Sequence, residues 1–158
     1  MRERHSSKEV GVISDTHGLV RDEAIAALQG CDLIIHAGDI GPSEVIERLR
    51  TIAPVHVVRG NNDRDAWGRS LPHTEVVTVG AHDLYVIHDI ADLDLDPAAA
   101  GFAAVICGHS HKPKIEWRDG VLYLNPGSAG PRRFKLPIAV ARIRASDRLE
   151  PEIIELAV

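Results

Sequence analysis

Three short apolar runs constrain this chain more than any other feature. They are EVGVIS (residues 9–14), DLIIHAGD (32–39) and VHVVRGNND (55–63), and each ends in a polar cluster. Within each run the apolar residues follow one another instead of alternating with polar ones, which is the pattern of strands buried on both faces. Between the runs lie two helical patterns. LVRDEAIAALQ (19–29) places Ile25 and Leu28 at helical spacing, with Gly30 as a C-cap. PSEVIERLRTIA (42–53) sets Val45, Ile46 and Leu49 on one face, with Pro42 suited to the first turn and Pro54 as the stop. Strand, helix, strand, helix, strand predicts an α/β fold with a parallel sheet covered by helices.

From residue 74 the pattern changes. EVVTVGAHDLYVIHD predicts two strands joined by a tight Gly80-Ala81 turn, and DPAAAGF (96–102) a helix. AAVICGHSH predicts a strand with a polar end, and KPKIEWRDGVLYLN a hairpin about Asp119-Gly120. LPIAVARIRAS and LEPEIIELA close the chain as strands. The 158 residues contain no repeat or linker and suit one domain over residues 1–158, with the polar residues 1–8 frayed.

Composition narrows the function. Eighteen basic against 23 acidic side chains give a formal charge of −5, a poor basis for an extended nucleic-acid or anionic-membrane surface. With two tryptophans, two tyrosines and two phenylalanines, a base-stacking surface is not expected either. Cys31 and Cys107 form no CxxC pair and read as buried thiols of a reducing compartment. The N-terminus has no apolar signal region and no apolar run is long enough to span a membrane, so the expected location is the cytoplasm. Nine histidines are out of proportion to the rest, and histidine is the commonest metal ligand.

The histidines are placed. In open α/β sheets ligands bind beyond the carboxyl ends of the strands. The first strand is followed by Asp15 and His17, the second by Asp39 and the third by Asn61; later strands are followed by His88 and by His109 and His111. All seven are ligands for borderline or hard divalent ions. Asp15/His17 and His109/His111 are i, i+2 pairs, which an extended backbone would turn to one side. Gly18, Gly38, Gly60 and Gly108 beside them allow close backbone approach. Each motif alone is weak; together, in this order and at strand ends, they point to a metal site.

Asp15-Thr16-His17, Gly38-Asp39, Gly60-Asn61-Asn62-Asp63, His88 and Gly108-His109-Ser110-His111 resemble the motif set of calcineurin-like metallophosphoesterases. The small size and Asn125-Pro126-Gly127-Ser128 after a hairpin are most similar to the compact bacterial and archaeal phosphodiesterase branch. The resemblance covers residues 9 to 145. It implies a four-layer αββα sandwich of the metallo-dependent phosphatase type, with a two-metal site at one edge. By the same resemblance Asp15, His17 and His111 would hold one ion, Asn61, His88 and His109 the other, and Asp39 both. The catalytic set would be Asp39, Asn61 and His88.

The implied activity is hydrolysis of phosphate esters, diesters first, by in-line attack of a hydroxide bridging two ions ~3.5–4 Å apart. Two divalent ions against two carboxylates and a hydroxide leave a formal charge of about +1, which attracts an anionic ester despite the acidic chain. Manganese is the expected metal, with nickel, iron, cobalt and zinc also compatible with N/O ligands. Two departures matter. Asn62 stands where many members carry a histidine able to protonate the leaving oxygen, and Asp89 follows His88 where glycine is common. Asp89 either enters the site, cancelling its charge, or points out of it, or holds a histidine ring from behind.

Other assignments stay open at this stage. Asp63 either orients a ligand or caps a turn. Arg132 and Arg133 either contact the substrate phosphate or sit in an exposed loop. Asn125 and Gly127 are expected as turn residues near the site, and His36 as a satisfied sheet histidine. His5, His56, His73 and His82 fall outside every motif. Trp67 either lines the cleft or mediates a subunit contact. Competing functions are a phosphomonoesterase on nucleotides or sugar phosphates and a scaffold, as in a retromer subunit on this fold; filled ligand positions favour an enzyme. The expected partner is a small phosphate-ester substrate, with homo-oligomerisation left open.

Overall fold

A computed structural model describes residues 7–158. Residues 1–6, including His5 and most of the segment expected to be frayed, lie outside the described residues. Lys8, from the same segment, instead opens the first strand and pairs with Ala145.

The first half folds as its periodicity requires. Strand β1 (Lys8–Ile13) lies parallel to β2 (Leu33–His36), which lies parallel to β3 (Val55–Val57). Helices α1 (Asp22–Ala27) and α2 (Glu44–Arg50) connect them. Both are shorter than the apolar patterns suggested. The residues before α1 are tied to the site loops instead, Gly18 N–H to the Ile40 carbonyl and Leu19 N–H to the Thr16 carbonyl. A short helix α3 (Ala66–Arg69), which the sequence did not reveal, begins at Asp65, whose carboxylate accepts from Gly68 N–H.

The second half builds a second sheet. β4 (Thr74–Val79) and β5 (His82–Ile87) form the expected hairpin, with Val79 opposite His82. A 3₁₀ turn at Ile90–Asp92 and helix α4 (Pro97–Ala100) lead into β6 (Ala104–Ile106), which runs parallel to β5. β7 (Lys114–Arg118) and β8 (Val121–Asn125) turn at Asp119-Gly120, where both φ angles are positive (53° and 79°), as a type I′ turn demands. β9 (Ala139–Ala145) and β10 (Leu149–Glu155) return to the first sheet. The strand orders are β10-β9-β1-β2-β3 and β4-β5-β6-β8-β7.

The two sheets pack face to face. Val10, Val12 and Ile35 of the first meet Leu84, Val86, Ile106 and Leu124 of the second in a continuous buried cluster. The other face of the first sheet carries Ile13 and Ile34 against Leu28, Ile46 and Leu49, each side chain contributing roughly 1.5–3 kcal/mol by burial. Gly11 lets α1 approach, since a Cβ there would stand 2.8 Å from Leu28 Cδ2. The outer face of the second sheet, with Tyr85, Ile87, Val105 and Cys107, is covered by Leu93, Leu95 and Phe102 from the segment containing α4. The layers therefore run helix, sheet, sheet, helix, as the resemblance implied. Trp67 is half-buried and packs against the side chains under α1 and α2. Cys31 and Cys107 are buried free thiols, and burial pushes the Cys107 thiol up to about 12. Among the described residues no helix is long and apolar enough to cross a membrane.

Candidate metal centre

The seven expected residues converge at one edge of the sandwich. The first sheet delivers Asp15, His17, Asp39 and Asn61 from the ends of β1, β2 and β3. The second delivers His88 after β5 and His109 and His111 after β6. The ligand atoms fall into two groups, Asp15/His17/His111 and Asp39/His88/His109, with the atoms of each group within 4.8 Å of one another.

An extended backbone does not produce this convergence, contrary to the i, i+2 argument. Asp15, His17, Asp39, His109 and His111 all have positive φ, between 46° and 71°. Left-handed backbone at a non-glycine residue costs on the order of 1 kcal/mol and persists only where the surroundings over-determine it. Here the β1–β2 ladder continues beyond the strands: Asp15 N–H donates to the Gly38 carbonyl at 3.0 Å and His17 N–H to the Asp39 carbonyl at 3.0 Å. Two glycines are required by close approach. A Cβ on Gly60 would lie 2.2 Å from Asp39 N, and one on Gly108 would lie 2.1 Å from Ser14 Oγ.

Asp15 commits one of its carboxylate oxygens and leaves the other bare. Asp15 Oδ2 accepts from Ser14 Oγ–H (2.7 Å) and His109 N–H (3.1 Å). Asp15 Oδ1 has no hydrogen-bond partner and faces Nε2 of His111, His88 and His17 at 3.4, 3.9 and 4.0 Å. Asp39 Oδ2 stands 3.3 Å from His88 Nε2 and 3.8 Å from His17 Nε2, so it lies between the two groups. His88 Nδ1–H donates to the Ala37 carbonyl at 2.6 Å, which turns the lone pair of Nε2 toward Asp39 and toward Asn61 Oδ1, 3.1 Å away. Asn61 Oδ1 is also 3.2 Å from His109 Nδ1.

Burial by itself would raise the Asp39 carboxyl; the His88 imidazole and the Asn62 backbone amide outweigh it and hold it down at about 2. Asp15 is likewise held below its ordinary value, against burial, by His111 and His88. His88 is raised, because Asp39 and Asp15 outweigh its burial. Buried acceptors without donors are costly. Asp15 Oδ1 and His17 Nε2 are both such atoms, and both face the cluster. An N/O donor set of this kind fits two divalent cations.

Asp89 lies beside His109, its Oδ2 3.6 Å from Nε2, the nitrogen facing away from Asn61, and its Oδ1 accepts from Ala91 N–H; it also lines the cleft beside Asn61 and His88. Asp63 caps its own turn through Gly60 N–H (2.8 Å) and ties down the loop after β2 through Asp39 N–H and Ile40 N–H, both at 2.9 Å. Asn62 grips Asp39, donating from its backbone N–H (2.8 Å) and its Nδ2 (3.3 Å). The Arg132 guanidinium donates to the Leu136 and Val158 carbonyls, and Arg133 lines a depression that His109 and His111 also line. Asn125 holds the Gly108 carbonyl at 2.9 Å and accepts from Gly127 N–H.

His36 is satisfied at both nitrogens. Gly38 N–H donates to Nδ1, so Nε2–H donates to Thr16 Oγ1, whose proton goes to the Ile40 carbonyl. Complete burial pushes this imidazole down to about 3. His56 pairs loosely with Glu75, His82 faces the Ser146 carbonyl, and His73 lies in a cleft beside Asn61. Ser14 and Ser128 were missed by sequence reasoning; Ser128 Oγ–H donates to the Asp15 carbonyl at 3.1 Å. The adjacency of Ser14 to Asp15 was the available signal.

Depressions beside the cluster include one of about 520 Å³ at Asn61 and His88 and one of about 710 Å³ at His109 and His111.

Comparison with known proteins agrees with this geometry. Residues 9–148 match the model of the calcineurin-like phosphoesterase superfamily domain. A probable metallophosphoesterase from the archaeon Methanothermobacter thermautotrophicus is 31% identical over 157 residues, covering 92% of this chain and 91% of its own. A novel archaeal phosphodiesterase superposes with a TM-score of 0.79 at 22% identity, over 94% of this chain and 99% of that one. Vacuolar Protein Sorting 29 of Cryptosporidium parvum superposes at 0.75 with 18% identity, over 96% and 99% of the two chains. The chain belongs to the calcineurin-like phosphoesterase superfamily.

Proposed function

We propose that this protein is a phosphodiesterase whose seven edge residues hold two divalent metal ions. The observation that carries the reading is the pair of ligand groups, with Asp15 Oδ1 buried and unpartnered at their centre. Asp15, His17 and His111 would hold one ion, Asn61, His88 and His109 the other, and Asp39, between the groups, both; manganese is the metal expected first. Held by these residues, divalent metal would supply Lewis acidity: a lowered pKa for bound water and compensation of phosphoryl charge.

The chain's own residues do the rest. The Ala37 carbonyl fixes the ring of His88 by holding its far nitrogen, and Asp89 lies beside the far nitrogen of His109. Asn62 and Asp63 hold the side chain and backbone of Asp39. No histidine stands at Asn62, and an amide cannot protonate a leaving oxygen. Esters with good leaving groups are therefore the best substrates, and alkyl monoesters the poorest.

The test is turnover of bis(p-nitrophenyl) phosphate and p-nitrophenyl phosphate with Mn²⁺, with EDTA, and in Asp39→Ala. Diester turnover above monoester turnover, abolished by EDTA and by the substitution, is the expected result. A higher monoester rate would make the protein a monoesterase. The second reading is a scaffold, the role that the family resemblance attaches to a retromer subunit on this fold; a protein that holds no metal and turns over neither ester would favour it.

A further inference from the structure

The pocket beside His109 and His111 is unlike the rest of this acidic chain. Lys112, Arg133 and Lys135 line it, no carboxylate does, and none of the three pairs with an acid among the described residues. At its rim stands Phe134, 88% exposed, the most exposed large apolar residue described. Phe134 sits in a tight turn closed by Leu136 N–H to the Arg133 carbonyl (3.1 Å), with φ of 55°. A phenylalanine in left-handed backbone is unfavourable, and asparagine or glycine would be the ordinary choice. The turn thus holds an aromatic face in water, against its own backbone preference, between two cations.

The opposite cleft has the reverse charge. Asp89, Asp92 and Asp94 line it against Arg59 and His73. An ester bound at the metal ligands has two arms, and His88 and Asn61 border one depression while His109 and His111 border the other. A negatively charged arm is repelled from the first and drawn to the second.

Resting on the phosphodiesterase reading, we propose that the Phe134 pocket is a substrate subsite for a nucleotidyl arm. Phe134 stacks on the base while Lys112, Arg133 and Lys135 hold a further phosphate; the uncharged arm of the diester lies toward Asp92 and Asp94. The volume, about 710 Å³, suits a nucleotide. Base stacking on an aromatic ring and phosphate pairing with guanidinium and ammonium groups are the two interactions that this set of side chains offers.

Two measurements test it. The first is calorimetric binding of ADP and ribose 5-diphosphate, which differ only in the base, to the metal-free protein. ADP should bind at least about tenfold tighter, and Phe134→Asn, which relieves the turn, should bring the two within about twofold. Equal binding in the unaltered protein, or no change in the variant, overturns the proposal. The second compares p-nitrophenyl thymidine 5′-phosphate with methyl p-nitrophenyl phosphate in the Mn²⁺ protein. A kcat/KM preference of about tenfold for the thymidyl ester should vanish in Phe134→Asn through KM, with kcat kept. Turnover of both esters without preference overturns the subsite and leaves the phosphodiesterase reading intact. Turnover of neither, with the ADP preference lost in Phe134→Asn, overturns that reading and leaves the subsite standing.

Discussion

Asn62 shows how one side chain sets the reach of a site without joining it. Its backbone and side-chain amides bind Asp39, so it stands close enough for a proton donor in its place to serve a leaving group. Asn62→His should raise turnover of p-nitrophenyl phosphate or an alkyl monoester at least about tenfold relative to the diester, read as the ratio of the two kcat/KM values. His36 makes a different point. The folded chain keeps it neutral, held down at about 3, whereas the unfolded chain takes a proton at 6.5. A depressed histidine of this kind leaves stability complete above 6.5 and erodes it as pH falls toward 3, by up to about 1.4 kcal/mol per pH unit. Asp39 does not share the upper part of that window, since its contribution is lost only below 3.8. His88, being raised, contributes fully below 6.5 and loses its contribution as pH rises. Urea midpoints of the metal-free protein between about pH 4 and 6 should therefore fall with acidification, and His36→Gln, which can accept from Gly38 and donate to Thr16 without titrating, should flatten the slope.

At the scale of elements, the strands bring the ligands near one another and the loops after them aim the side chains. Both kinds of information differ in how they show in a sequence. The strands were legible because burial on both faces leaves continuous apolar runs, and the hairpins because Gly80-Ala81 and Asp119-Gly120 join strands across two residues. The helix boundaries were less so, since the apolar spacing of residues 19–29 says nothing about Gly18 bonding to Ile40. Helix α3 has four residues, too few for periodicity. The positive φ of five ligands was illegible too, because it is imposed by the neighbouring loop. Gly60 is the clearest case: nothing in GNND says that Asp39 will lie against it. Gly60→Ala should push Asp39 out of place. Diester turnover should fall at least about a hundredfold, and the thermal midpoint of the metal-free protein should drop by several degrees.

For the whole molecule, the candidate centre is a link between two sheets whose shared core is apolar and whose other polar ties include His82 to the Ser146 carbonyl and His56 to Glu75. Four ligands come from one sheet and three from the other. Metal bound only by the folded state adds stability by mass action, about 2.7 kcal/mol at a hundredfold excess over Kd. Saturating Mn²⁺ should raise the thermal midpoint by roughly 5–10 °C, EDTA should reverse the gain, and Asp39→Ala should show none. A midpoint unmoved by Mn²⁺ in the unaltered protein would exclude the inter-sheet link.

The sequence by itself determined the strands and the candidate ligand residues, because burial and metal chemistry each demand residue types that recur at readable positions: apolar runs for the strands, and Asp, Asn and His directly after them. Only the tertiary structure decided the short span of the helices, which carboxylate oxygen is left bare, that Asp89 lies beside His109, that Arg132 binds the Leu136 and Val158 carbonyls, and that Phe134 stands in a basic pocket. Most of those are relations between residues 20 to 100 positions apart, set by how two sheets pack, and no local pattern of side chains encodes the direction in which a loop will finally point.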